Sequence, residues 1–451
     1  MQVRISYLRI SFYLIEGARN KVAVRSSCER SRRVVEPRLK RYNRYVAKAN
    51  PLTATARHQL PEFLLAEEGR AAAVACLFSK ADSWREAIEL AKAWKVIPRM
   101  FDRIRSLRLK LTDADTGVLK LEFLKAYKYS AFRAAKAIGA IHALEQAGIP
   151  VVAFKGLASI AALYGDSKHR SIQDADLLIL KKDLPNALAC LGRQGFERRG
   201  PETLAQYLRF VEECPGFAGN QAVTVQDEQG CEVDLHWEVA GSGLRPEEIL
   251  RRAVKFDLMD STIPVVDAQD GFLLTVHHAI REDFAIEIVC RDLLDAELWL
   301  RRLRETGRLE EAMKWVAGSR CKVAALTVAT LLSGYDRATT ATQAAVLLSG
   351  LANPAERRSA ASLAELFHYQ LRHGRLGKDV FYLVHSRPWR QILKGLATDW
   401  SGYRQSLQAM EEQLGENRPL HERATRLAKS IPGLRVLRLA RELACIKFGR
   451  Y

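Results

Sequence analysis

The chain has 451 residues, of which 48% are hydrophobic, and this composition excludes a wholly disordered protein. Its formal charge of +18 suggests a nucleic-acid binder until that charge is followed along the chain. Residues 1–50 carry +10, residues 418–451 carry +7, and residues 51–417 carry only +1. Because the long central part is close to neutral, we expect no specific DNA binding.

The cysteines and the apolar runs indicate the compartment. The eight cysteines include no C-x-x-C pair and match no zinc framework, which is typical of reduced thiols. No uninterrupted apolar run in the sequence approaches the ~18–20 residues that a membrane span needs. Arg9 interrupts the apolar start and no small-x-small cleavage site follows, so no secretory signal is predicted. These patterns together predict a cytoplasmic protein.

The segment 1–60 is basic and poor in acids, and we interpret it as a disordered leader. A transit-like segment has a similar composition and is the alternative. The region 61–147 is predicted to be helical, because apolar residues recur there at three- and four-residue spacing. The clearest stretches are Ala66–Ala75, Trp84–Trp94 and Val118–Gln146.

The hydrophobic period changes after Gly148, which is suited to end the preceding helix in a left-handed conformation. Residues 148–265 are predicted to form an α/β core. Val151–Phe154 has the pattern of a short buried strand, and a helical stretch to about Tyr164 follows it. Asp174–Leu180 is predicted to be the second strand.

Further signals extend this core. A helix is predicted over Asp183–Gln194, with Asp183 as its N-cap. Ala222–Gln226 and Cys231–Val239 are strand-like and are separated by a polar turn that ends in Gly230, which predicts a hairpin. The fold class expected is α+β, with a small mixed β-sheet core between mainly α-helical regions.

Residues 266–451 are predicted to be a helical region with a basic amphipathic end. Within Gly433–Tyr451, apolar residues alternate with arginines and lysines at the spacing of an amphipathic helix. Such a helix can dock on the protein body with its basic face in solvent. Alternatively, it can bind a peripheral membrane surface or an acidic partner.

The acidic residues of the core carry the strongest chemical signal. Asp174 and Asp176 are two apart in a predicted strand, so their carboxylates share a face at roughly 6.5–7 Å spacing along the strand. Asp234 lies on the second arm of the hairpin and can bring a third carboxylate to a neighbouring strand. Three carboxylates suit Mg²⁺, with Mn²⁺ as the alternative, since both prefer oxygen ligands shared with phosphates.

A D-x-D pattern is weak by itself, and the same chain contains a second one. Asp113 and Asp115 precede the long helix Val118–Gln146, where Thr112 or Asp113 is expected to cap the helix and the acids to occupy its first turn. Asp174 and Asp176 differ because an apolar run follows them directly. Buried carboxylates are expensive without a cation or partners.

The ordered motifs resemble the nucleotidyltransferase superfamily with the DNA polymerase β-like core, and more closely the uncharacterised bacterial nucleotidyltransferase family. The motifs are Val152-Ala153-Phe154-Lys155-Gly156, His169-Arg170-Ser171-Ile172-Gln173-Asp174-Ala175-Asp176-Leu177-Leu178 and Val233-Asp234-Leu235-His236-Trp237. The resemblance covers about residues 60–300. It implies that Asp174, Asp176 and Asp234 are catalytic and bind the metals, with Asp234 as a base for an acceptor hydroxyl.

The resemblance also implies a nucleotide-binding set. Lys155 and Gly156 occupy the turn where the superfamily usually has Gly-Ser, and Ser159 follows three residues later. Gly156 and the helix N-terminus favour phosphate, and Lys155 can add a point charge. Arg170 is expected to clamp a phosphate or balance the acids, with a solvated loop arginine as the alternative.

Five neighbouring residues are assigned other roles. His236 shares a strand face with Asp234 and can orient that acid or contact substrate. His277 and His278 lie in an apolar helical stretch and are expected to be packed, hydrogen-bonded histidines. Asp292 and Asp295 are interpreted as packing residues or as partners of Arg291.

The expected function is a Mg²⁺-dependent nucleotidyltransferase that moves a nucleoside monophosphate from an NTP, with ATP favoured, to an unidentified acceptor hydroxyl. The alternative is a catalytically degenerate member that binds nucleotide or a protein partner. A third hypothesis is an accessory protein of a surface polysaccharide pathway, recruited through the basic ends.

Overall fold

A computed structural model of the chain describes residues 51–78, 83–198, 205, 221–239, 242–281, 286–335 and 340–373. The chain divides into two units, 1–367 and 368–451, and the fold described below is that of the first. Residues 1–50 and the predicted amphipathic helix Gly433–Tyr451 lie outside the described residues. In the described part, every helix is too short or too polar to cross a membrane.

Helices precede the sheet, as the apolar spacing predicts. Among the described residues they are α1 (Pro51–Leu65), α2 (Glu68–Phe78), α3 (Ser83–Ala93), α4 (Ile97–Ser106) and α5 (Asp113–Gln146). Helix α1 begins inside the segment predicted to be a leader. The side chains of Ala56 and Leu60 are buried there. The basic composition of the whole segment gave no sign of this burial.

The second D-x-D pair lies at the start of α5, as predicted. Thr112 is the N-cap and accepts a hydrogen bond from the backbone N–H of Asp115 at 3.1 Å. At the other end, Gly148 has φ +72° and its N–H bonds to the carbonyl of Glu145, so it closes the helix in the left-handed conformation. These acids therefore serve a helix terminus.

The described part of the chain holds a seven-stranded mixed sheet in the order β3-β4-β5-β2-β1-β7-β6. The strands are β1 (Val152–Phe154), β2 (Asp174–Leu178), β3 (Glu197–Arg198), β4 (Ala222–Gln226), β5 (Glu232–His236), β6 (Val254–Leu258) and β7 (Ser261–Val265). β4 and β5 form the predicted antiparallel hairpin, and β5 runs parallel to β2. The expected α+β class, with a small mixed sheet between helical regions, is confirmed.

The β6–β7 hairpin was not predicted from the sequence. Its turn residues, Met259 and Asp260, have φ +52° and +60° without a glycine or asparagine at either position, so the usual turn signal is missing. Pro264 within β7 also argues against a strand. β7 nevertheless pairs in parallel with β1, through Ala153 and Val265.

Helical segments connect and follow the strands. In the described part they are α6 (Lys155–Ser159), a π-helical turn (Ile160–Tyr164), a 3₁₀ turn (Lys181–Asp183), α7 (Leu184–Arg193), α8 (Pro246–Arg252), α9 (Ala268–Arg281), α10 (Ile286–Glu305), α11 (Leu309–Ala317), α12 (Lys322–Tyr335), α13 (Thr340–Leu351) and α14 (Pro354–His373). Helices α9 and α10 pack against each other, α9 also contacts α6, and α10 also contacts the π-helical turn.

The contact between α9 and α10 depends on a glycine. A Cβ atom on Gly271 would lie 2.6 Å from two ring carbons of Trp299, which is fully buried and cannot move aside. We expect Gly271→Ala to lower the free energy of unfolding by about 2 kcal/mol through overpacking. Gly139→Ala, in α5, is the control because nothing lies within 4 Å of its Cβ position.

Urea unfolding of both variants provides the measurement. Both substitutions gain the helix propensity of alanine, about 1 kcal/mol, so the difference between them isolates the contact with Trp299. Equal stabilities would show that α9 and α10 do not approach this closely.

Candidate active site

The pairing of β2 with β5 brings the predicted acids together. The parallel register places Asp176 beside Asp234, and Leu178 beside His236. Since side chains alternate along a strand, Asp174 and Asp176 share a face on β2, and Asp234 and His236 share a face on β5. The polar side chains of both strands therefore converge on one face of the sheet.

Three of these side chains are close enough to share a cation. Ligand atoms of Asp176, Asp234 and His236 all lie within 4.8 Å of one another. Asp176 and His236 are buried, at 4% and 8% exposure, and Asp234 is half-buried. Two carboxylates and an imidazole are a donor set that fits Mn²⁺ and, through its oxygens, Mg²⁺.

Lys155 occupies the same group of residues. Its Nζ donates to Oδ1 of Asp176 at 2.5 Å, and His236 Nε2 lies 2.9 Å from the same oxygen. Burial by itself would raise the pKa of Asp176, but the Lys155 ammonium and His236 outweigh burial and lower it. Asp176 is therefore ionised at neutral pH.

The imidazole of His236 is held on two sides. Its ring packs edge-on against Phe154, with centroids 4.9 Å apart, and its Nε2 faces Asp176. Burial and the Lys155 ammonium lower the pKa of His236, against the opposing effect of Asp176. A neutral imidazole is the form that can bind a metal ion.

Asp174 and Asp234 differ in their support. The Thr224 hydroxyl on β4 donates to Oδ1 of Asp234 at 2.5 Å. Asp174 lies outside the 4.8 Å group, and burial together with the charges of Asp176 and Asp234 raises its pKa. The ionised form of Asp174 therefore costs the fold free energy.

The predicted nucleotide-binding residues separate into two places. Lys155 contacts the acids, whereas Ser159 and Arg170 contact Asp295 on α10. Gly156 is buried between them, and a Cβ there would lie 2.9 Å from both Arg170 Nη1 and Ile172 Cγ2. Glycine is thus required at this position so that Arg170 can pass behind the turn.

Asp295 is the centre of a buried network. Arg170 donates through Nε and Nη2 at 2.7–3.1 Å, the Tyr164 hydroxyl donates at 2.9 Å, and Ser159 donates at 3.1 Å. Burial would lower the pKa of the Arg170 guanidinium, but the Asp295 carboxylate reverses this and raises it. The network joins α10 to the segment that begins at Lys155.

A cleft opens beside the acids and reaches α9. Phe154, Lys155, Gln221, His236, Val239, Leu274, His277 and His278 line it. His278 Nδ1 lies 2.7 Å from Oδ2 of Asp292, which is buried. The expectation that His278 is packed and hydrogen-bonded is confirmed, and its position beside the cleft is new.

Asp292 and Asp295 divide between them the two roles that the sequence suggested. Asp295 is buried, at 2% exposure, and pairs with Arg170 rather than with Arg291. The expected contact with Arg291 forms at Asp292, at 3.7 Å. Since 125 positions separate Arg170 from Asp295, only their shared buried environment could have revealed the pair.

The raised pKa of Asp174 predicts a trade between stability and function. A carboxyl with a raised pKa in the folded state destabilises the fold above that pKa, and this cost disappears as the pH falls and the group is protonated. In EDTA at pH 7.5 we expect Asp174→Asn to raise the free energy of unfolding by about 1 kcal/mol. Urea titrations at decreasing pH should show the gain shrinking, and a loss of stability at neutral pH would contradict the prediction.

The Arg170–Asp295 pair predicts a large loss of stability. Both side chains are buried, at 6% and 3% exposure, so Asp295→Asn leaves a buried guanidinium without its counter-charge. We expect a loss of about 3 kcal/mol in the free energy of unfolding. Glu310→Gln is the control, because its pair with Lys314 is exposed and should contribute nothing measurable.

Comparisons with solved structures return nucleotidyltransferases. The solution structure of the antibiotic-resistance factor ANT(2'')-Ia is 12% identical and covers 40% of this chain and 89% of its own, with a TM-score of 0.29. The lincosamide antibiotic adenylyltransferase LnuA, with lincomycin bound, is 14% identical and covers 33% and 89%, with a TM-score of 0.22.

A third solved structure is an antigenic nucleotidyltransferase-like protein from Paracoccidioides brasiliensis. It is 14% identical and covers 42% of this chain and 89% of its own, with a TM-score of 0.27. No curated protein matches the chain. The assignment below therefore rests on the sequence family.

The sequence pattern of a family described as "Uncharacterised nucleotidyltransferase" matches residues 80–333. This stretch is more than half of the chain, and it contains β1 to β7 and every residue of the acidic group. It begins later and ends later than the 60–300 resemblance, so it takes in α11 and most of α12. The chain belongs to this uncharacterised nucleotidyltransferase family and is an enzyme of the nucleotidyltransferase class.

Proposed function

We propose that the protein transfers a nucleoside monophosphate from an NTP to an acceptor hydroxyl, and that it requires Mg²⁺ or Mn²⁺. The single observation that carries this proposal is the convergence of Asp176, Asp234 and His236 within 4.8 Å on two paired strands. Asp174, on the same face, completes the proposed set of carboxylates. The family assignment supports the reaction class but leaves the nucleotide and the acceptor open.

In this proposal the acids hold the cation. Asp174, Asp176 and Asp234 supply oxygens, and His236 can supply a nitrogen or orient the acids from its place beside Phe154. When bound, a divalent cation would polarise the α-phosphate and stabilise the charge that develops on its oxygens. Mg²⁺ is favoured by the carboxylate oxygens and Mn²⁺ by the additional imidazole.

In the proposed transfer, a side chain of this chain accepts the proton and pyrophosphate is the leaving group. Asp234 takes the proton of the acceptor hydroxyl, whose oxygen attacks the α-phosphorus. The bond between the α-phosphorus and the oxygen that bridges to the β-phosphorus breaks, and pyrophosphate leaves. Thr224, by donating to one oxygen of Asp234, orients the carboxylate for this step.

The phosphate contacts are proposed to divide between the two groups of residues already described. Lys155 faces the acids and can contact the phosphates directly. Gly156 allows the chain to turn closely at this point, and Ser159 and Arg170 hold the turn from behind through Asp295. ATP is the nucleotide we propose to test first.

The second candidate is a member that binds nucleotide without turnover. It is favoured by one observation: the turn holds Lys155-Gly156, and the lysine already neutralises Asp176. Tight NTP binding with no pyrophosphate release, across acceptors that include sugars, RNA and the protein itself, would support this candidate over transfer.

Transfer is tested with purified protein, Mg²⁺ and each α-³²P-labelled NTP, with pyrophosphate release and labelled product as the readouts. We expect Asp176→Asn to lower the rate at least ~10²-fold, because several kcal/mol of charge stabilisation are lost. Asp113→Asn is the matched control, since it alters the other D-x-D pair at the start of α5. An unchanged rate in Asp176→Asn would remove the site from the reaction.

A further inference from the structure

The position of Lys155 conflicts with a cation at Asp176. Its ammonium lies 2.5 Å from Oδ1 of Asp176, and His236 Nε2 occupies another direction at the same oxygen, at 2.9 Å. A divalent ion bound through this oxygen would therefore have to compete with the ammonium for it. Two cations at such a distance repel each other strongly in a buried site.

The backbone conformation of Lys155 is also unusual. Its φ of +53° is in the left-handed region, which a lysine rarely adopts and which costs about 1 kcal/mol or more. Strain of this kind persists where the surrounding structure enforces it, and the next residue, Gly156, packs closely against Arg170, which Asp295 holds. The turn thus aims the lysine at Asp176.

The side chain of Lys155 nevertheless has room to move away from Asp176. It is 25% exposed and lines the cleft, whereas the Asp176 side chain is only 6% exposed. A flexible four-carbon stem can move the ammonium into the cleft while the backbone stays fixed. The cleft also adjoins the acids, because Lys155 and His236, which both contact Asp176, line it.

We propose that Lys155 is an exchangeable counter-cation: it holds Asp176 until a divalent ion and a nucleotide bind, and then moves its ammonium from Asp176 to the nucleotide phosphates. This inference rests on the proposed function, because it assumes the metal site at Asp176. In this proposal, Lys155 weakens the binding of the metal alone and strengthens the binding of the metal and the nucleotide together. Metal and nucleotide then bind with positive coupling, which by linkage is the same in both directions.

The test measures Mn²⁺ binding without catalysis. Isothermal titration calorimetry with Mn²⁺ alone compares the wild type with Lys155→Met and Lys155→Gly, both of which remove the ammonium. Glycine also suits the left-handed backbone, so this variant keeps the fold if methionine does not. Lys136→Met is the matched control, because Lys136 pairs with Asp227 at 3.1 Å and does not line the cleft.

We expect both Lys155 variants to bind Mn²⁺ alone about tenfold more tightly than the wild type and the Lys136 control. In the presence of Mn²⁺, we expect the wild type and the Lys136 control to bind the non-transferable analogue α,β-methylene-ATP more tightly than the two Lys155 variants do. Mn²⁺ should increase the affinity of the wild type for the analogue more than it does in either Lys155 variant. Both results together support the exchange.

Two outcomes overturn the inference in distinguishable ways. Equal Mn²⁺ affinities in the wild type and the Lys155 variants, or weaker binding in the variants, reject the counter-cation and leave the proposed metal site in place. If no protein binds Mn²⁺ with or without the analogue, the metal site of the proposed function fails, and the inference fails with it.

Discussion

The parallel pairing of β2 with β5 is the constraint on which the rest of the site depends. It runs in register for five residues, and it is the reason why Asp176 stands beside Asp234. A slip of one residue would turn Asp234 and His236 to the opposite face of the sheet. Leu177 and Leu235 pair on that opposite face and are fully buried, and a slip of β5 would remove Leu235 from this packing.

Acids that the strand register brings together need partners that compensate their charge. Buried carboxylates are costly without partners, and each partner here comes from a different element. Lys155 enters from the turn after β1, Thr224 from β4, and His236 from β5 itself. Asp174 has the least compensation, and the direction of its pKa shift records this. The described partners therefore compensate the acids unequally.

Local patterns account for what the sequence could predict. The D-x-D strand, the β4–β5 hairpin and the cap at Thr112 each depend on residues within a few positions of one another, so spacing reveals them. The β6–β7 hairpin was missed because Met259 and Asp260 adopt left-handed conformations that other residues usually supply.

Long-range pairs were beyond reach for a different reason. Arg170 has the spacing of a phosphate ligand, and nothing local distinguishes that role from a buried pair with Asp295 on a distant helix. His278 likewise has the pattern of a packed histidine, and only the fold places it beside Asp292 and at the cleft. The role of Arg170 toward a nucleotide stays a prediction.

At the candidate site, individual charged side chains matter more than the net charge of the chain. The +18 of the chain lies almost wholly in residues 1–50 and 418–451, so it does not describe the surroundings of the acids. There, the ammonium of the partly exposed Lys155 side chain compensates Asp176 together with His236. A cation bound at Asp176 and Asp234 would release that ammonium, and a polyanionic substrate is the partner that it would then find in the cleft. In the proposed exchange, the same residue links the affinity for the metal to the affinity for the phosphates, and the net charge of the chain gives no sign of such a link.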